Sequence, residues 1–517
     1  MKIKLLLSFL IATVSVQAQI TFHKTFGGNG DDYGTSVQQT NDGGYIITGF
    51  TNGVDSGNAD VYLVKTDAYG DTIWTRTFGG ANRDYGNSVQ QTADGGYIIV
   101  GLTYSFGGAG SKGYLIKTNS NGDFLWNKTF DAFSSDAVGL TVQQTMEGGY
   151  IVAGSIEIFP FNENAYLIKT DANGDSLWTR IYGGADEIKD VSCYQTMDSG
   201  YILSGTRTDS GSTNSDAWLL KTDALGNIVW SKTYGDAYPD HCLRVQQTLD
   251  GGYIMTGWTY SFGAGGCDVF LTKTDANGDL LWTKTFGGNE NDAGMCVRQT
   301  TGGGYIISGF FGLFIGYRSY LIKTDANGDS LWTRIMGTDD DYANSVQETV
   351  DGGYIVTGST ANFGGNSNII FVKTDANGNK GCYDEVSTSV VSSPVMTVDS
   401  PAIPLTLLNT TITSPNTIVD SGGIDSTICI SVGIKETVSE KLFLLYPNPA
   451  SSQCMIHNTS FTIKKAEVFN LLGNKSYPEI TVNSEAWIVD CTTLSPGIYF
   501  VKVETEKGSS VQKLLVE

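Results

Sequence analysis

Short apolar segments alternate with turns rich in glycine, asparagine and aspartate along most of the chain. In the first unit, apolar residues occupy both faces of the segments at 45–50 and 60–66. A segment that is apolar on both faces predicts a strand buried between two layers. The turn Asn41-Asp42-Gly43-Gly44 before the first of them predicts a tight hairpin. With neighbouring segments at 36–40 and 72–78, the unit is predicted to form four short antiparallel strands, A to D.

This unit recurs about every 52 residues. The aromatic residue that begins strand B follows a Gly-Gly pair or a close variant in seven copies: Tyr45, Tyr97, Tyr150, Tyr201, Tyr253, Tyr305 and Tyr354. A tryptophan recurs in strand D: Trp74, Trp126, Trp178, Trp230, Trp282 and Trp332. Four antiparallel strands per ~50 residues is the period of a propeller blade. The repeat therefore predicts an all-β fold, a seven-bladed β-propeller of four-stranded blades, with an open solenoid as the alternative.

The two ends of the repeat array complement each other. The seventh unit has strands A to C but continues into Asn379-Lys380-Gly381-Cys382, with no D strand. The D-strand pattern occurs instead at the start of the array, as Phe22-His23-Lys24-Thr25-Phe26. We therefore expect the N-terminal strand to pair with strand C of the seventh unit and close the ring. In this position His23 is a strand residue.

Four segments follow from these patterns and from the chain ends. Residues 1–18 have two lysines, an apolar run and small residues before Gln19, which is typical of a signal peptide. That run is shorter than the ~20 residues of a spanning helix, and no later run is long enough, so we expect no transmembrane segment. The propeller is predicted over 19–380. Residues 381–439 are predicted to be a Ser/Thr/Pro-rich linker, or a small appendage closed by a disulfide between Cys382 and Cys429.

Residues 440–517 change pattern again. They contain Tyr446-Pro447-Asn448-Pro449-Ala450, then Gly497-Ile498-Tyr499-Phe500-Val501, and a last apolar segment at the C-terminus. This order of elements resembles the C-terminal sorting domain, or Por secretion tail, of the type IX secretion system of Bacteroidetes-type bacteria. The resemblance implies a small β-sandwich recognised by the secretion machinery at the outer membrane. It implies a protein that is secreted or held on the cell surface.

The repeat unit also resembles the blades of kelch-type propellers, through its strand ending in glycine followed by an aromatic strand and a tryptophan. Its Asp-to-Gly-to-Trp hairpin resembles the blade turns of quinoprotein dehydrogenases. Kelch units end strand B with two glycines, whereas here one glycine precedes a variable residue such as Phe50 or Trp258. The resemblance supports a propeller over 19–380 and transfers no catalytic residue.

Charge and composition limit the chemistry. The chain carries 54 acidic and 32 basic residues, a net charge of −22, and this excess argues against nucleic-acid binding. With three histidines in 517 residues, histidine-based metal or triad chemistry has few ligands available. The recurring turn Asp171-Ala172-Asn173-Gly174-Asp175 offers oxygen donors to calcium, but it also has the composition of a hairpin turn, which we favour. We expect no cofactor and no metal.

Strand direction places the variable B–C and D–A loops at one end of the propeller. Aromatic residues in or beside the B–C loops are candidate ligand contacts there: Tyr104, Phe106, Phe159, Phe161, Tyr260, Phe262, Phe311, Phe314 and Tyr317. Their alternative role is packing between blades. An acid ring is expected at the same end: Asp32, Asp84, Asp240, Asp292 and Asp341. Its carboxylates could bind a cation or a basic partner, act as a glycosidase pair, or cap the loops.

Together these features predict a monomeric binding or adhesion protein, exported through its sorting domain, whose variable loops bind a glycan or an envelope protein. A polysaccharide-active enzyme that uses carboxylates at the same end is one alternative. A structural surface protein is another. Fold alone does not choose between these classes.

Overall fold

The computed structural model contains almost only β-strands. It describes residues 19–52, 58–108, 110–131, 136–158, 162–312, 316–337, 340–360, 366–381, 385–386, 390–394, 396–400, 405–408, 411–413, 418–420, 424–433, 444–446, 450–457, 463–470, 475–476, 478–482, 487–505 and 508–516. These residues fall into two compact units, within 17–433 and within 434–517. The predicted signal peptide lies outside the described residues, and so does Cys382, one half of the predicted disulfide.

The first unit is a propeller whose described residues form seven five-stranded antiparallel sheets. The strands that precede and build blades 1 to 3 are β1 (Gln19–Gly27), β2 (Asp32–Gln39), β3 (Tyr45–Thr51), β4 (Asp60–Thr66), β5 (Thr72–Gly79), β6 (Asp84–Gln91), β7 (Tyr97–Thr103), β8 (Lys112–Thr118), β9 (Phe124–Asp131), β10 (Ala137–Gln144), β11 (Tyr150–Ile158), β12 (Asn162–Thr170) and β13 (Ser176–Tyr182). In blades 1 to 6, strands A to D pair in chain order.

Blades 4 to 7 continue the same order. Their strands are β14 (Glu187–Gln195), β15 (Tyr201–Thr208), β16 (Ser215–Thr222), β17 (Ile228–Gly235), β18 (Asp240–Gln247), β19 (Tyr253–Thr259), β20 (Asp268–Thr274), β21 (Leu280–Gly287), β22 (Asp292–Gln299), β23 (Tyr305–Gly312), β24 (Tyr317–Thr324), β25 (Ser330–Ile335), β26 (Asp341–Glu348), β27 (Tyr354–Thr360) and β28 (Asn368–Thr374).

The N-terminal strand closes the ring, as the sequence predicts. Strand β1 pairs with β28, the C strand of blade 7, with Phe22 opposite Lys373 and Phe26 opposite Ile369. Blade 7 then packs on blade 1 through a shared apolar cluster that includes Phe371 from one blade and Tyr45 from the other. The propeller fold and its closure by the N-terminal strand are confirmed.

The segment after blade 7 departs from expectation. Residues 385–433 run back around the propeller and add a fifth strand, E, to the D strand of every blade in reverse order. We call this segment the belt. Its strands are β29 (Glu385–Val386), β30 (Val390–Ser392), β31 (Thr397–Asp399), β32 (Leu405–Leu408), β33 (Thr411–Thr413), β34 (Ile418–Asp420) and β35 (Ile424–Gly433). Strands A to D of each blade are present as predicted, and the belt adds a fifth strand to them. The segment predicted to be a linker or a small appendage thus has seven described strands that pair with the D strands of the propeller.

Aromatic residues of the repeat lock neighbouring blades together. The D-strand tryptophan of one blade meets the B-strand tyrosine of the next: the ring centroids of Trp74 and Tyr97 are 5.9 Å apart and nearly perpendicular. At the closure Phe22 takes the tryptophan's place against Tyr45, at 6.1 Å. Gly122 lies at φ +76° under the ring of Trp74, where a Cβ would come within 2.7 Å of that ring.

Glutamines at the end of strand A join the blades from the inside. Gln38 Oε1 accepts the backbone N–H of Gln91 in blade 2 at 2.6 Å, and Gln91 Oε1 accepts the N–H of Asn41 in blade 1 at 2.9 Å. Blades 2 and 3 repeat this exchange through Gln90 and Gln144, and blade 7 contacts blade 1 through Gln347 and Gln39. Strand A is the inner edge of each sheet, so these amide oxygens satisfy N–H groups that lack a strand partner.

The second unit, 434–517, contains two four-stranded sheets. Its elements are β36 (Leu444–Tyr446), β37 (Gln453–His457), β38 (Ile463–Asn470), β39 (Lys475–Ser476), β40 (Ile480–Val482), β41 (Trp487–Asp490), a 3₁₀ turn (Cys491–Thr493), β42 (Gly497–Thr505) and β43 (Gly508–Val516). One apolar core takes residues from both sheets, including Val489 and Val501. This arrangement is the small β-sandwich that the resemblance implied. Cys454 and Cys491 are both buried in this core.

In the part of the chain that the structure describes, no helix has the length and apolar character needed to span a membrane.

The belt yields a first testable prediction. A chain of residues 19–433 retains all seven E strands and should run as a single species in size-exclusion chromatography with light scattering. A chain that ends at residue 380 exposes the D-strand edges of seven sheets, and exposed edges pair with other molecules. We expect that shorter chain to aggregate. A monodisperse, equally stable chain ending at 380 would show that the belt is dispensable.

Candidate functional site at the loop end

The two ends of the propeller differ in chemistry. The loops that connect strand D to strand A of the next blade, and strand B to strand C, lie at one end of the propeller, which we call the loop end. The A–B and C–D hairpins lie at the opposite end, which we call the turn end. Because strands alternate in direction, the first residues of strand A and the last of strand B meet at the loop end; Tyr33 pairs with Phe50 there, and His241 with Trp258.

Blade 5 presents an aromatic stack at the loop end. The rings of His241 and Trp258 are 3.6 Å apart and inclined by 15°, and Trp258 meets Tyr260 edge-on at 5.5 Å. The Nε2 atom of His241 lies 3.1 Å from the hydroxyl of Ser215. Tyr260 is 47% exposed, and the neighbouring Tyr238 is 62% exposed. The stack thus joins broad aromatic faces to a few polar groups.

Similar contacts continue over the neighbouring blades. In blades 6 and 7 the ring of Phe310 lies 5.0 Å from those of both Tyr317 and Tyr342. In blades 1 and 2, Phe50 stacks on Tyr33 at 4.7 Å and meets Tyr85 edge-on at the same distance. We call the whole set the aromatic arc: Tyr33, Phe50, Tyr85, His241, Trp258, Tyr260, Phe310, Tyr317 and Tyr342.

Blades 3 and 4 have charged residues at the same end. Glu157 lies opposite Glu163 in the extended B–C hairpin of blade 3. Lys189 of blade 4 forms an ion pair with Glu187 at 2.8 Å. Burial raises the pKa of Glu163, whereas the positive charge of Lys189 acts to lower it. The loop end is therefore asymmetric, with an aromatic side and a charged side.

The nine predicted aromatic contacts divide into four groups. Tyr104 is 45% exposed and, with Tyr260, is accessible at the loop end. Phe106, Phe262 and Phe311 pack against blade cores, as the alternative anticipated. Tyr317 is half-buried within the aromatic arc. Phe159, Phe161 and Phe314 lie outside the described residues.

The acid ring closes loops. Asp32, Asp84, Asp240, Asp292 and Asp341 are all buried. Asp84 Oδ2 accepts the backbone N–H of Gly80 at 2.9 Å and the hydroxyl of Ser105 at 2.6 Å. Asp32 and Asp292 accept the N–H groups of Gly28 and Gly288 in the same manner. These carboxylates therefore hold the D–A loops on the blades, which is the capping role among the alternatives considered.

Some acid-ring residues face a second buried carboxylate. A Cβ placed on Gly287 would lie 1.7 Å from Asp268 Oδ1 and 2.6 Å from Asp292 Oδ2, so both groups occupy the space beside this glycine. Burial raises the pKa of Asp268 to about 6. Burial, with the charge of Asp268, raises the pKa of Asp292 to about 7. Asp216 of blade 4 and Asp240 of blade 5 lie against Gly235 in the same way.

The turn end uses its charges internally. Lys65 pairs with Asp42 at 2.9 Å, and equivalent C-strand lysines pair with the A–B hairpin in most other blades. The basic residue of strand D bonds the C–D turn of the next blade, as in Lys128 with Asp175 at 2.9 Å. Asp171 Oδ1 accepts the N–H groups of Asn173 and Asp175, both at 2.9 Å. Hydrogen bonding within the hairpin therefore occupies the turn that also offered donors to calcium.

Apolar side chains surround the channel mouth at the turn end. Met146, Met197, Leu249 and Val350, each from an A–B hairpin, are 63–92% exposed. In the described residues, no group of three or more histidine, cysteine, aspartate or glutamate side chains is arranged to hold a metal ion.

Two features of the site did not emerge from the sequence patterns. The first is the stack of His241 on Trp258, because both residues occupy variable strand positions. The second is the role of the strand A glutamines, whose signal is the Gln-Gln-Thr that recurs at the end of this strand in most copies. A polar pair at a strand end is easily taken for a solvated turn.

The carboxylate pair Asp268 and Asp292, from blades 5 and 6, predicts a pH effect on stability. Both folded-state pKa values exceed the ordinary value of about 4, so the folded state binds protons more tightly than the unfolded state. This contribution is fully present below about pH 4 and is lost as the pH rises through 6–7. The equivalent position is asparagine in two other repeats, as Asn164 and Asn368. Asp268→Asn should therefore be tolerated and should stabilise the protein by about 1–2 kcal/mol at pH 8.

The same substitution should give no gain at pH 4, and thermal unfolding at the two pH values measures the difference. Asp175→Asn is the matched control, because this exposed turn position is asparagine in two other repeats, as Asn227 and Asn379. An equal change at both pH values for Asp268→Asn would contradict the shared burial of this pair.

Comparison with known families identifies the second unit. Residues 444–517 match the family described as the secretion system C-terminal sorting domain, Por_Secre_tail. The match includes Tyr446, Gly497 and Tyr499 of the predicted sorting motif; Pro447, Asn448 and Pro449 lie in it but outside the described residues. The chain is thus a substrate of the type IX secretion machinery, which delivers it to the cell surface or the extracellular space.

Comparisons over the whole chain are weaker. No curated protein sequence matches it. Sqt1 from Chaetomium thermophilum is 12% identical over 66% of this chain and 83% of its own, with a TM-score of 0.40. A protein of unknown function from Dyadobacter fermentans is 10% identical over 69% and 98%, with a TM-score of 0.36. A β-1,2-mannobiose phosphorylase from Listeria innocua is 11% identical over 69% and 94%, at 0.28. Similarity at this level indicates nothing about function.

Proposed function

We propose that this protein is an exported binding protein that attaches to carbohydrate through the aromatic arc. The observation that carries the proposal is the concentration of stacked, partly exposed aromatic rings on five of seven blades at the loop end. Single exposed apolar residues are ordinary on protein surfaces, whereas a contiguous group marks an interaction site. The sorting domain places this surface outside the cell, where glycans and envelope proteins are available.

The chemistry of blade 5 suits a sugar ring. Trp258 and Tyr260 offer faces on which the apolar C–H surface of a pyranose can stack, and aromatic residues with polar edges suit partly wet sites. His241 and Ser215 lie beside the stack and offer nitrogen and hydroxyl groups to sugar hydroxyls. A few polar groups beside apolar walls give a small-ligand site its orientation and specificity.

The acid ring favours binding over hydrolysis. A glycosidase needs two carboxylates that reach the scissile bond, about 5–10 Å apart. Asp32, Asp84 and Asp240 have no exposed surface and bond loop N–H groups. Their recurrence from blade to blade agrees with a scaffold role, since a catalytic pair would be needed only once.

A glycan array probed with the mature chain, residues 19–517, tests the proposal. The double variant Trp258→Ala/Tyr260→Ala should lose at least tenfold in affinity for the best-bound glycan, about 1.4 kcal/mol. Tyr260→Ala alone should show a smaller loss with unchanged thermal stability, because this side chain is largely exposed. Tyr69→Ala is the matched control, since Tyr69 is 51% exposed in a C–D turn at the turn end.

Binding that survives the double variant, or that Tyr69→Ala abolishes, would contradict the aromatic arc as the ligand surface. An array without specific binding would contradict carbohydrate as the ligand class and would favour an envelope protein.

A further inference from the structure

The seven A strands surround a polar central channel with a volume of about 380 Å³. Two rings of side chains, two residues apart along strand A, line its wall. The inner ring contains Ser36, Ser88, Thr141, Ser192, Arg244, Cys296 and Ser345. The outer ring, nearer the A–B hairpins, contains Gln38, Gln90, Gln143, Tyr194, Gln246, Arg298 and Gln347. Each ring thus includes one arginine, and the two arginines come from neighbouring blades, 5 and 6.

Most residues at these positions accept hydrogen bonds between blades. In the inner ring, Ser36 Oγ accepts the N–H of Val89 at 3.4 Å, and Thr141 Oγ1 accepts that of Cys193 at 3.2 Å. In the outer ring, Gln143 Oε1 accepts the N–H of Gln195 at 2.8 Å. A guanidinium has no acceptor atom, so an arginine cannot make this bond. The inter-blade hydrogen bond that the side chain accepts elsewhere is therefore missing at Arg244 in blade 5 and at Arg298 in blade 6.

Within the described residues, neither arginine side chain forms an ion pair. The Arg298 side chain makes no hydrogen bond to these residues, and the Arg244 side chain donates only from Nη1 to the carbonyl of Leu243, at 3.0 Å. Glu348, the carboxylate in the channel wall, accepts the N–H and hydroxyl of Thr301 instead, at 2.7 and 3.0 Å. By contrast, the C-strand lysines Lys65, Lys117 and Lys221 are all paired with hairpin aspartates.

The positive charge of this pair is only partly compensated. Arg244 is half-buried, and its pKa is lowered first by burial and also by the positive charge of Arg298. The nearby Cys296 and Asp190 act in the opposite direction. Two neighbouring cations, shielded from water in a chain with a net charge of −22, form a local site that favours an anion.

The channel is accessible from the turn end. A second cavity of about 580 Å³ lies at that mouth, and its wall shares Gln90, Gln143, Tyr194, Gln246 and Gln299 with the channel. The exposed Met146, Met197 and Leu249 also line it. A ligand that enters there passes an apolar rim and reaches the outer-ring arginine before the inner-ring one.

We propose that Arg244 and Arg298 bind an oxyanion, as carboxylate, sulfate or phosphate, within the central channel. Guanidinium groups match the geometry of these anions through paired N–H donors. The serine hydroxyls and glutamine amides around the arginines supply neutral donors for the remaining oxygens. This site is separate from the aromatic arc and does not depend on it.

The mature chain can be tested with three probes: sodium sulfate, sodium phosphate and sodium glucuronate. Thermal unfolding is measured for each against sodium chloride at equal ionic strength, followed by calorimetric titration. At least one probe should raise the unfolding midpoint in a saturable manner, because a ligand that binds only the folded state stabilises it. The probe with the lowest Kd identifies the class of anion.

Two variants restore the residues that the repeat uses elsewhere, Arg298→Gln and Arg244→Ser. Each should fold as stably as the unmodified chain or more so, since it removes one of two adjacent charges and returns an inter-blade acceptor. Each should weaken binding of the oxyanion at least tenfold. Arg83→Gln, an exposed arginine in the loop between blades 1 and 2, should leave the titration unchanged.

Two results would overturn the proposal. One is a set of unfolding midpoints that none of the three anions raises above the chloride control. The other is equal binding by the unmodified chain, Arg298→Gln and Arg244→Ser, which would place the anion elsewhere on the surface.

Discussion

The bond from a backbone N–H to a side-chain oxygen across each blade boundary is the interaction on which this propeller depends; a glutamine accepts it at every boundary except that between blades 6 and 7, where Glu348 accepts it. Strand A has a sheet partner on one side only, and its other edge faces the channel. Glutamines such as Gln90 and Gln143 satisfy that edge with an oxygen from the preceding blade. Their amides thereby replace the missing strand and join seven separate sheets into one ring.

The outer edges are closed by different means. The D strands would end each sheet with unpaired backbone groups, and the belt covers them one after another in reverse order. Strand β1 completes blade 7, so Phe22 meets Tyr45 where Trp74 meets Tyr97 between blades 1 and 2. With edges satisfied inside and outside, the scaffold can vary its loops and a few channel positions. The aromatic arc and the two channel arginines are such variations.

Much of the fold follows from the sequence because it is local. The glycine turns and doubly apolar segments define strands A to D, and the missing D strand of the seventh unit identifies its replacement at Phe22–Phe26. The belt does not follow, since its strands are two to ten residues long, have no periodicity, and take their order from strands that are distant in the sequence.

The candidate site was only partly predictable for a related reason. Sequence placed Tyr104 and Tyr260 at the loop end, but burial separates them from Phe106 and Phe262, which pack on the blades. The position of His241 depends on its stacking on Trp258, which lies on the neighbouring strand. Arg244 and Arg298 become neighbours only when the A strands of blades 5 and 6 pack side by side.

Amide hydrogen exchange of the mature protein tests the closed ring most directly. The N–H groups of Gln39 and Val37, which bond to Gln347 and Ser345 across the boundary between blades 7 and 1, should exchange as slowly as those of Gln91 and Gln144 at internal boundaries. Exchange at Gln39 and Val37 that is orders of magnitude faster than at Gln91 and Gln144 would show an open array and contradict this account.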